Sequence, residues 1–201
     1  MNRIVRTITL VLCFVLPGAV LAQEKLPLAE ISGYLNTLKT AQTTFTQYND
    51  DGSRSNGTLL VKRPGRMRFE YEPPNHAVVI AGAGAVIIHD KKSNQPPETY
   101  PLRRTPLNLI LAKTVDLGQA NMVVGHDFDG EFTIVRAQDP KKPEYGFIDL
   151  KFSSDPVALR QWIITNEQGD RTAVVLNELE TGVKLGDQLF DTQVARGGSD
   201  R

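Results

Sequence analysis

Cysteine is almost absent: Cys13 is the only one in 201 residues. It sits inside an apolar leader, so the remainder of the chain has no disulfide, no thiol nucleophile and no cysteine-based metal site. Histidine is scarce as well. His76, His89 and His126 fall at strand starts, strand ends or before a turn, and none has a second histidine or a cysteine at metal-ligand spacing. An excess of charge is missing too, with 23 basic against 23 acidic residues. A nucleic-acid binder needs a strongly basic face, so that partner is not expected. No metal and no cofactor is expected either.

Catalytic signatures are equally sparse. Gly82 and Gly84 are followed by neither Lys-Ser/Thr nor a helix, as a phosphate cradle requires. No Gly-x-Ser-x-Gly element marks a nucleophile elbow. His126-Asp127-Phe128-Asp129 reads as polar residues leading into an Asp-Gly turn. The chain is therefore not expected to be an enzyme. A hydrolase stays open as an alternative, because triads assemble from residues distant in sequence.

What the chain does have begins with an export signal over residues 1–22. Arg3 and Arg6 form a positive start, Ile8 to Leu16 an apolar run, and Val20-Leu21-Ala22 a small-residue cleavage site. The run is short of the ~20 residues that span a membrane. Leu12 precedes Cys13 where a lipid-modified cysteine expects a small residue, so no lipid anchor is expected. Removing 22 of 201 residues leaves 179, with 21 basic and 23 acidic side chains, a net charge of −2. That length suits one domain, 23–194, with a tail over 195–201 that is small, charged and expected to be disordered.

Leu28, Ile31, Leu35 and Leu38 recur at helical spacing, predicting a helix over 26–40 with Pro27 in its first turn. Short alternating runs follow, at 43–48, 55–62, 66–71, 77–81, 85–90 and 98–102. In the run 66–71, Met67, Phe69 and Tyr71 alternate with Arg66, Arg68 and Glu70, so one sheet face is apolar and the other charged. Arg66 and Arg68 read as solvated surface, or as a basic patch meeting a partner or anionic head groups. Thr105, Pro106, Leu107, Leu109, Ile110 and Leu111 predict a second, short helix that is apolar nearly all round. Further strands are predicted at 122–127, 131–136, 146–152, 159–166 and 172–179. Connections this short favour antiparallel pairing. The predicted fold is mainly β: an unclosed antiparallel barrel of about ten or eleven strands with helices on one side.

The order of these features resembles the periplasmic lipoprotein-carrier family, LolA. The residues that carry the resemblance are Phe45-Thr46-Gln47, the block Gly57 to Pro64, Arg68-Phe69-Glu70-Tyr71, Pro74, and Thr105-Pro106-Leu107-Asn108-Leu109-Ile110-Leu111. The resemblance covers roughly 26–193. It implies an apolar cavity beneath a helical lid, and a monomer that takes acylated lipoproteins from an inner-membrane ABC transporter to an outer-membrane receptor. In such proteins the arginine of an Arg-Pro pair hydrogen-bonds to the lid and keeps the empty cavity closed. Here that latch maps onto Arg63; without the resemblance, Arg63 reads as a solvated hairpin corner. Family members often carry an aromatic at the position of Met67 and tryptophan at that of Phe69.

Candidate cavity residues on the first strands are Phe45, Leu60, Met67, Phe69, Val79 and Ile88. On the later strands they are Ile148, Leu150, Trp162 and Ile164. Each reads equally well as plain core. Leu107, Ile110 and Leu111 join them as lid residues under the resemblance. Rival readings are a periplasmic carrier of another amphiphile, such as a glycolipid or a polyketide-like lipid, and a sensor of mislocalised lipoproteins on the same fold.

Overall fold

A computed structural model describes residues 24–193, apart from 91, 93, 94 and 106. The expected export signal, Pro106 and the tail from 195 lie outside the described residues. No helix among the described residues is long and apolar enough to cross a membrane.

The alternating runs form strands β1 (Thr40–Tyr48), β2 (Arg54–Lys62), β3 (Arg66–Tyr71), β4 (Ala77–Gly82), β5 (Ala85–Asp90) and β6 (Glu98–Pro101). After the second helical segment come β7 (Val123–Phe128), β8 (Thr133–Ala137), β9 (Phe147–Ser154), β10 (Val157–Thr165), β11 (Arg171–Leu176) and β12 (Glu180–Thr181). They make one 12-stranded sheet in the order β6-β5-β4-β3-β2-β1-β11-β10-β9-β8-β7, with β12 beside β1. Their pairings are antiparallel throughout the described residues. The path ends at β6 and β7, which do not pair, so the barrel is unclosed. It nonetheless curls on itself. Phe69 of β3 meets Trp162 of β10 ring to ring, although β2, β1 and β11 lie between them in the sheet.

The strand count exceeds the expectation because β12 is two residues long, too short to alternate visibly. Helix α1 runs Leu28–Thr37, inside the expected 26–40. Pro27 is its N-cap in extended conformation, outside the first turn where the sequence placed it. Leu38 is also extended, and leads into β1 three residues before the alternation became legible. Ile31 and Leu35 are fully buried against the sheet, as their spacing requires. Helix α2 runs Leu107–Leu111.

Strands β4 and β5 are apolar on both faces. Val79 and Val86 belong with the main core, while Val78, Ile80 and Ile87 form a second, smaller cluster on the outer face. Beyond β12, the chain returns over that outer side. A 3-10 turn, Asp187–Phe190, buries Phe190. The Lys62 amine donates to the Leu185 carbonyl at 2.7 Å, and Arg68 Nη1 to the Leu189 carbonyl at 3.2 Å. Asp187 accepts from both Lys62 and Arg66. Arg66 and Arg68 are therefore committed to this C-terminal strap and to Glu70, and form no free basic patch beside the cavity mouth.

Candidate ligand-binding cavity

Cross-strand register builds two rows that are apolar except for Thr172. Phe69 lies opposite Val79, and Val79 opposite Ile88, across β3, β4 and β5. Thr172 lies opposite Ile164, and Ile164 opposite Ile148, across β11, β10 and β9. Curling of the sheet turns these rows toward each other across a hollow of about 290 Å³. Val86, Trp162 and Val174 extend the apolar wall, and Leu107 of α2 closes it from the helical side. Ile88 and Ile164 are 37% and 45% exposed although they line the hollow, so its rim is both apolar and open to solvent.

Gln47, Tyr71, Thr105 and Thr172 are the polar residues of the wall. Tyr71 donates its hydroxyl proton to Gln47 Oε1 at 2.6 Å, and Gln47 Nε2 donates to Asn49 Oδ1 at 2.8 Å. Burial pushes the Tyr71 hydroxyl up to about 12, so it stays neutral. Thr105 donates its hydroxyl to the Leu102 carbonyl at 2.8 Å, so Gln47, Tyr71 and Thr105 each find a partner within the protein.

Of the candidate cavity residues, Phe69, Val79, Ile88, Leu107, Ile148, Trp162 and Ile164 line the hollow. Phe45, Met67 and Leu150 do not. They are buried in the surrounding core, where Phe45 packs edge to face on both Phe69 and Tyr71. Ile110 and Leu111 also point into that core, leaving Leu107 as the residue of α2 at the hollow. Leu60 lies on the opposite face of β2 from buried Leu59 and Val61, the face that carries Lys62 toward the strap. Sequence reading missed Gln47, Val86, Thr105, Thr172 and Val174, and did not place Tyr71 at the cavity. Parity along each strand was the available signal: Tyr71 follows Phe69, and Val86 precedes Ile88, by two residues.

Arg63 is 7% exposed and sits at the turn between β2 and β3. Its Nη1 donates to the carbonyl of Leu38, the C-cap of α1, at 3.2 Å. Its Nη2 donates to the carbonyl of Ala112, just past α2, at 2.6 Å. The same turn makes two backbone bonds, from Arg63 N–H to Lys39 and from Gly65 N–H to Leu111, each at 2.8 Å. One cation thus meets the electronegative ends of two helices, where carbonyls lack helical partners. The fit is incomplete. Arg63 Nε is buried without an acceptor, and burial lowers the guanidinium pKa. Farther along, Asn36 of α1 exchanges hydrogen bonds with the backbone of Val115, and Ser32 accepts from Leu117 N–H. The two helices and the segment after α2 therefore form one connected cover.

No group of three metal-ligating side chains occurs among the described residues. His126 Nε2 lies 2.8 Å from the Leu26 carbonyl, a bond that ties the chain entering α1 to β7.

A family profile described as the outer membrane lipoprotein carrier protein LolA matches residues 36–193. An outer-membrane lipoprotein carrier protein of Coxiella burnetii strain CbuK_Q154 is 25% identical over 193 residues, covering 92% of this chain and 90% of that protein. A carrier of the same description from Methylococcus capsulatus is 25% identical over 175 residues, covering 83% of each chain. Among solved structures, a putative outer membrane lipoprotein-sorting protein domain from Vibrio parahaemolyticus is similar with a TM-score of 0.48 and 11% identity, over 84% of this chain and 97% of that one. The chain belongs to the outer membrane lipoprotein carrier family, LolA, whose members are binding proteins and not enzymes.

Proposed function

We propose that this protein shields the acyl chains of lipoproteins while they cross the periplasm, receiving them from an inner-membrane ABC-type releasing complex and passing them to an outer-membrane receptor. The observation that carries this reading is an apolar hollow walled on one side by Leu107 of α2, a helix whose C-terminal end is tied to that of α1 by a single arginine. The need for such a protein is energetic. Each methylene gains about 0.8 kcal/mol by leaving water, so a cargo with tens of methylenes resists extraction from a membrane by roughly 30 kcal/mol. A carrier must match most of that and still stay soluble when empty.

The hollow in this conformation is too small for the whole cargo. At about 30 Å³ per water-sized group, 290 Å³ accepts roughly ten methylenes. Loading therefore requires the helical cover to move, which makes Arg63 the latch in this reading. Each of its charged hydrogen bonds is worth about 1.5–3 kcal/mol, while an orphaned buried donor such as Nε costs about 1–3 kcal/mol. Two such bonds against one orphaned donor favour closure by roughly 2–3 kcal/mol. A closed ground state lowers the apparent affinity for cargo, which lets a receptor take it.

A transfer assay tests this. Arg63→Leu is expected to load cargo as well as the parent or better, yet deliver it poorly to receptor-bearing membranes. Arg63→Lys should fall between the two, because an ammonium lacks the planar fork that reaches two carbonyls at once. Unchanged delivery by Arg63→Leu removes Arg63 from the mechanism. The small hollow also favours a second reading, a carrier of a single-chain amphiphile. Native mass spectrometry of protein taken from the periplasm separates the two: an acylated polypeptide bound to the carrier supports the first, a free lipid the second.

A further inference from the structure

The gap where the barrel fails to close holds a second cavity, a cleft of about 720 Å³. One side comes from Tyr100 at the end of β6 and from Arg103 and Arg104 in the following 3-10 turn; the other comes from Lys141, Lys142 and Tyr145 between β8 and β9. Four cations thus face one space. Asp139 is the carboxylate in the lining, and it is occupied in accepting the Lys141 N–H at 2.9 Å. Lys142 lies 3.7 Å from Glu144 in a pair that is more than half exposed on both sides, a weak tie. Arg103 and Arg104 are exposed and have no ion pair among the described residues. Four cations against one carboxylate make this lining strongly positive in a chain whose acidic and basic residues balance.

Two further features constrain the occupant. Thr105 lines both this cleft and the acyl hollow, so a molecule with a chain in the hollow leaves it beside the cations. Among the described residues strand β6 pairs only with β5, leaving its other edge unpaired. An unpaired edge accepts extended polypeptide backbone, and Tyr100 and Tyr145 add exposed ring faces. A lipid headgroup makes no use of a strand edge; an extended peptide does.

Resting on the carrier reading, the geometry points to this cleft as the seat of the polypeptide that immediately follows the acylated residue of the cargo, with preference for an acidic segment. The hollow then reads the lipid and the cleft reads the sequence beside it. Carriage becomes selective: two cargoes with identical acyl chains bind with different strengths according to the charge of the next few residues.

The test uses the mature protein and three synthetic N-palmitoyl octapeptides that differ only in carrying three Asp, three Gln or three Lys. Binding is followed by native mass spectrometry and, with the palmitoyl chain brominated at mid-length, by quenching of Trp162 emission. At low salt the acidic peptide is expected to bind about tenfold more tightly than the neutral one, and the Lys peptide more weakly still. The preference should collapse in ~0.5 M salt, where exposed charges are screened. It should vanish in the double variant Arg103→Glu/Arg104→Glu, and in Lys141→Glu/Lys142→Glu from the opposite wall, while the neutral peptide still binds and reports an intact hollow. Equal affinities for all three peptides overturn the cleft inference and leave the carrier reading standing. Failure of every palmitoyl peptide to bind overturns both. If the peptide preference survives in the variants while attachment to phosphatidylglycerol vesicles is lost, the cleft is a membrane contact and the inference falls.

Discussion

The rings of Phe69 and Trp162 meet edge to face, centroids 5.7 Å apart and planes at 88°, from strands on opposite walls of the curled sheet. The contact joins the two halves of the barrel at the wall of the hollow. Edge-to-face aromatic pairs add about 0.5–1.5 kcal/mol beyond the area they bury. The sheet is thus held curled by the surface that a ligand is expected to touch.

Trp162 is the only tryptophan in the protein, so its emission reports on the hollow alone. A palmitoyl chain brominated at mid-length should quench that emission as it binds, whereas the unbrominated chain should not. Bound brominated lipid with unaltered Trp162 emission would place the acyl site elsewhere.

Gly82 touches the C-terminal strap. A Cβ there would lie 2.5 Å from the Phe190 carbonyl oxygen, a clash with backbone that side-chain motion does not relieve. Gly82→Val is expected to destabilise the fold by about 1–3 kcal/mol. It should also speed hydrogen exchange over residues 185–193. Gly33 in α1 has open space around its missing Cβ, so Gly33→Ala should stabilise by about 0.5–1 kcal/mol. A Gly82→Val protein that melts no lower than the parent would contradict this account of the strap.

Asp129 sets an acid limit. The hydrogen bond from Lys151, with support from the Phe132 and Glu131 N–H groups, lowers its carboxyl from the ordinary 3.8 to about 2. A depressed folded-state pKa stabilises the protein fully above the unfolded value, near pH ~4, and the benefit is lost as pH falls through about 2. The parent should therefore exceed Asp129→Asn in stability at neutral pH. The margin should be below about 1 kcal/mol, because the Lys151 pair is partly solvated. Melts taken from pH ~6 to ~2 should show that margin shrinking below pH ~4. A margin that stays constant over the range would assign the stabilisation to uncharged hydrogen bonds.

Strand existence was legible where apolar and polar residues alternate, as in Arg66 to Tyr71, whose boundaries match β3. The face of a strand was less so. Leu60 and Leu59 are both leucine, and only pairing across β2 and β3 decides that Leu59 turns inward. The continuous apolar runs in β4 and β5 signalled burial on both sides, yet what covers the outer side is a segment about a hundred residues later. Ile110 and Leu111 fit a lid by composition, but the rotation of a five-residue helix is settled by its neighbours.

The sequence by itself determined the antiparallel strands, the two apolar helices and the family motif around Arg63, because these depend on local periodicity and turn chemistry. The tertiary structure decided which apolar residues face empty space and which face one another. It also decided that Arg63 meets two helix ends, and that basic residues from distant loops share the gap between β6 and β7. The physical reason is that a cavity is a property of curvature and register: an apolar side chain has the same hydrophobicity whether its neighbour is another side chain or a void.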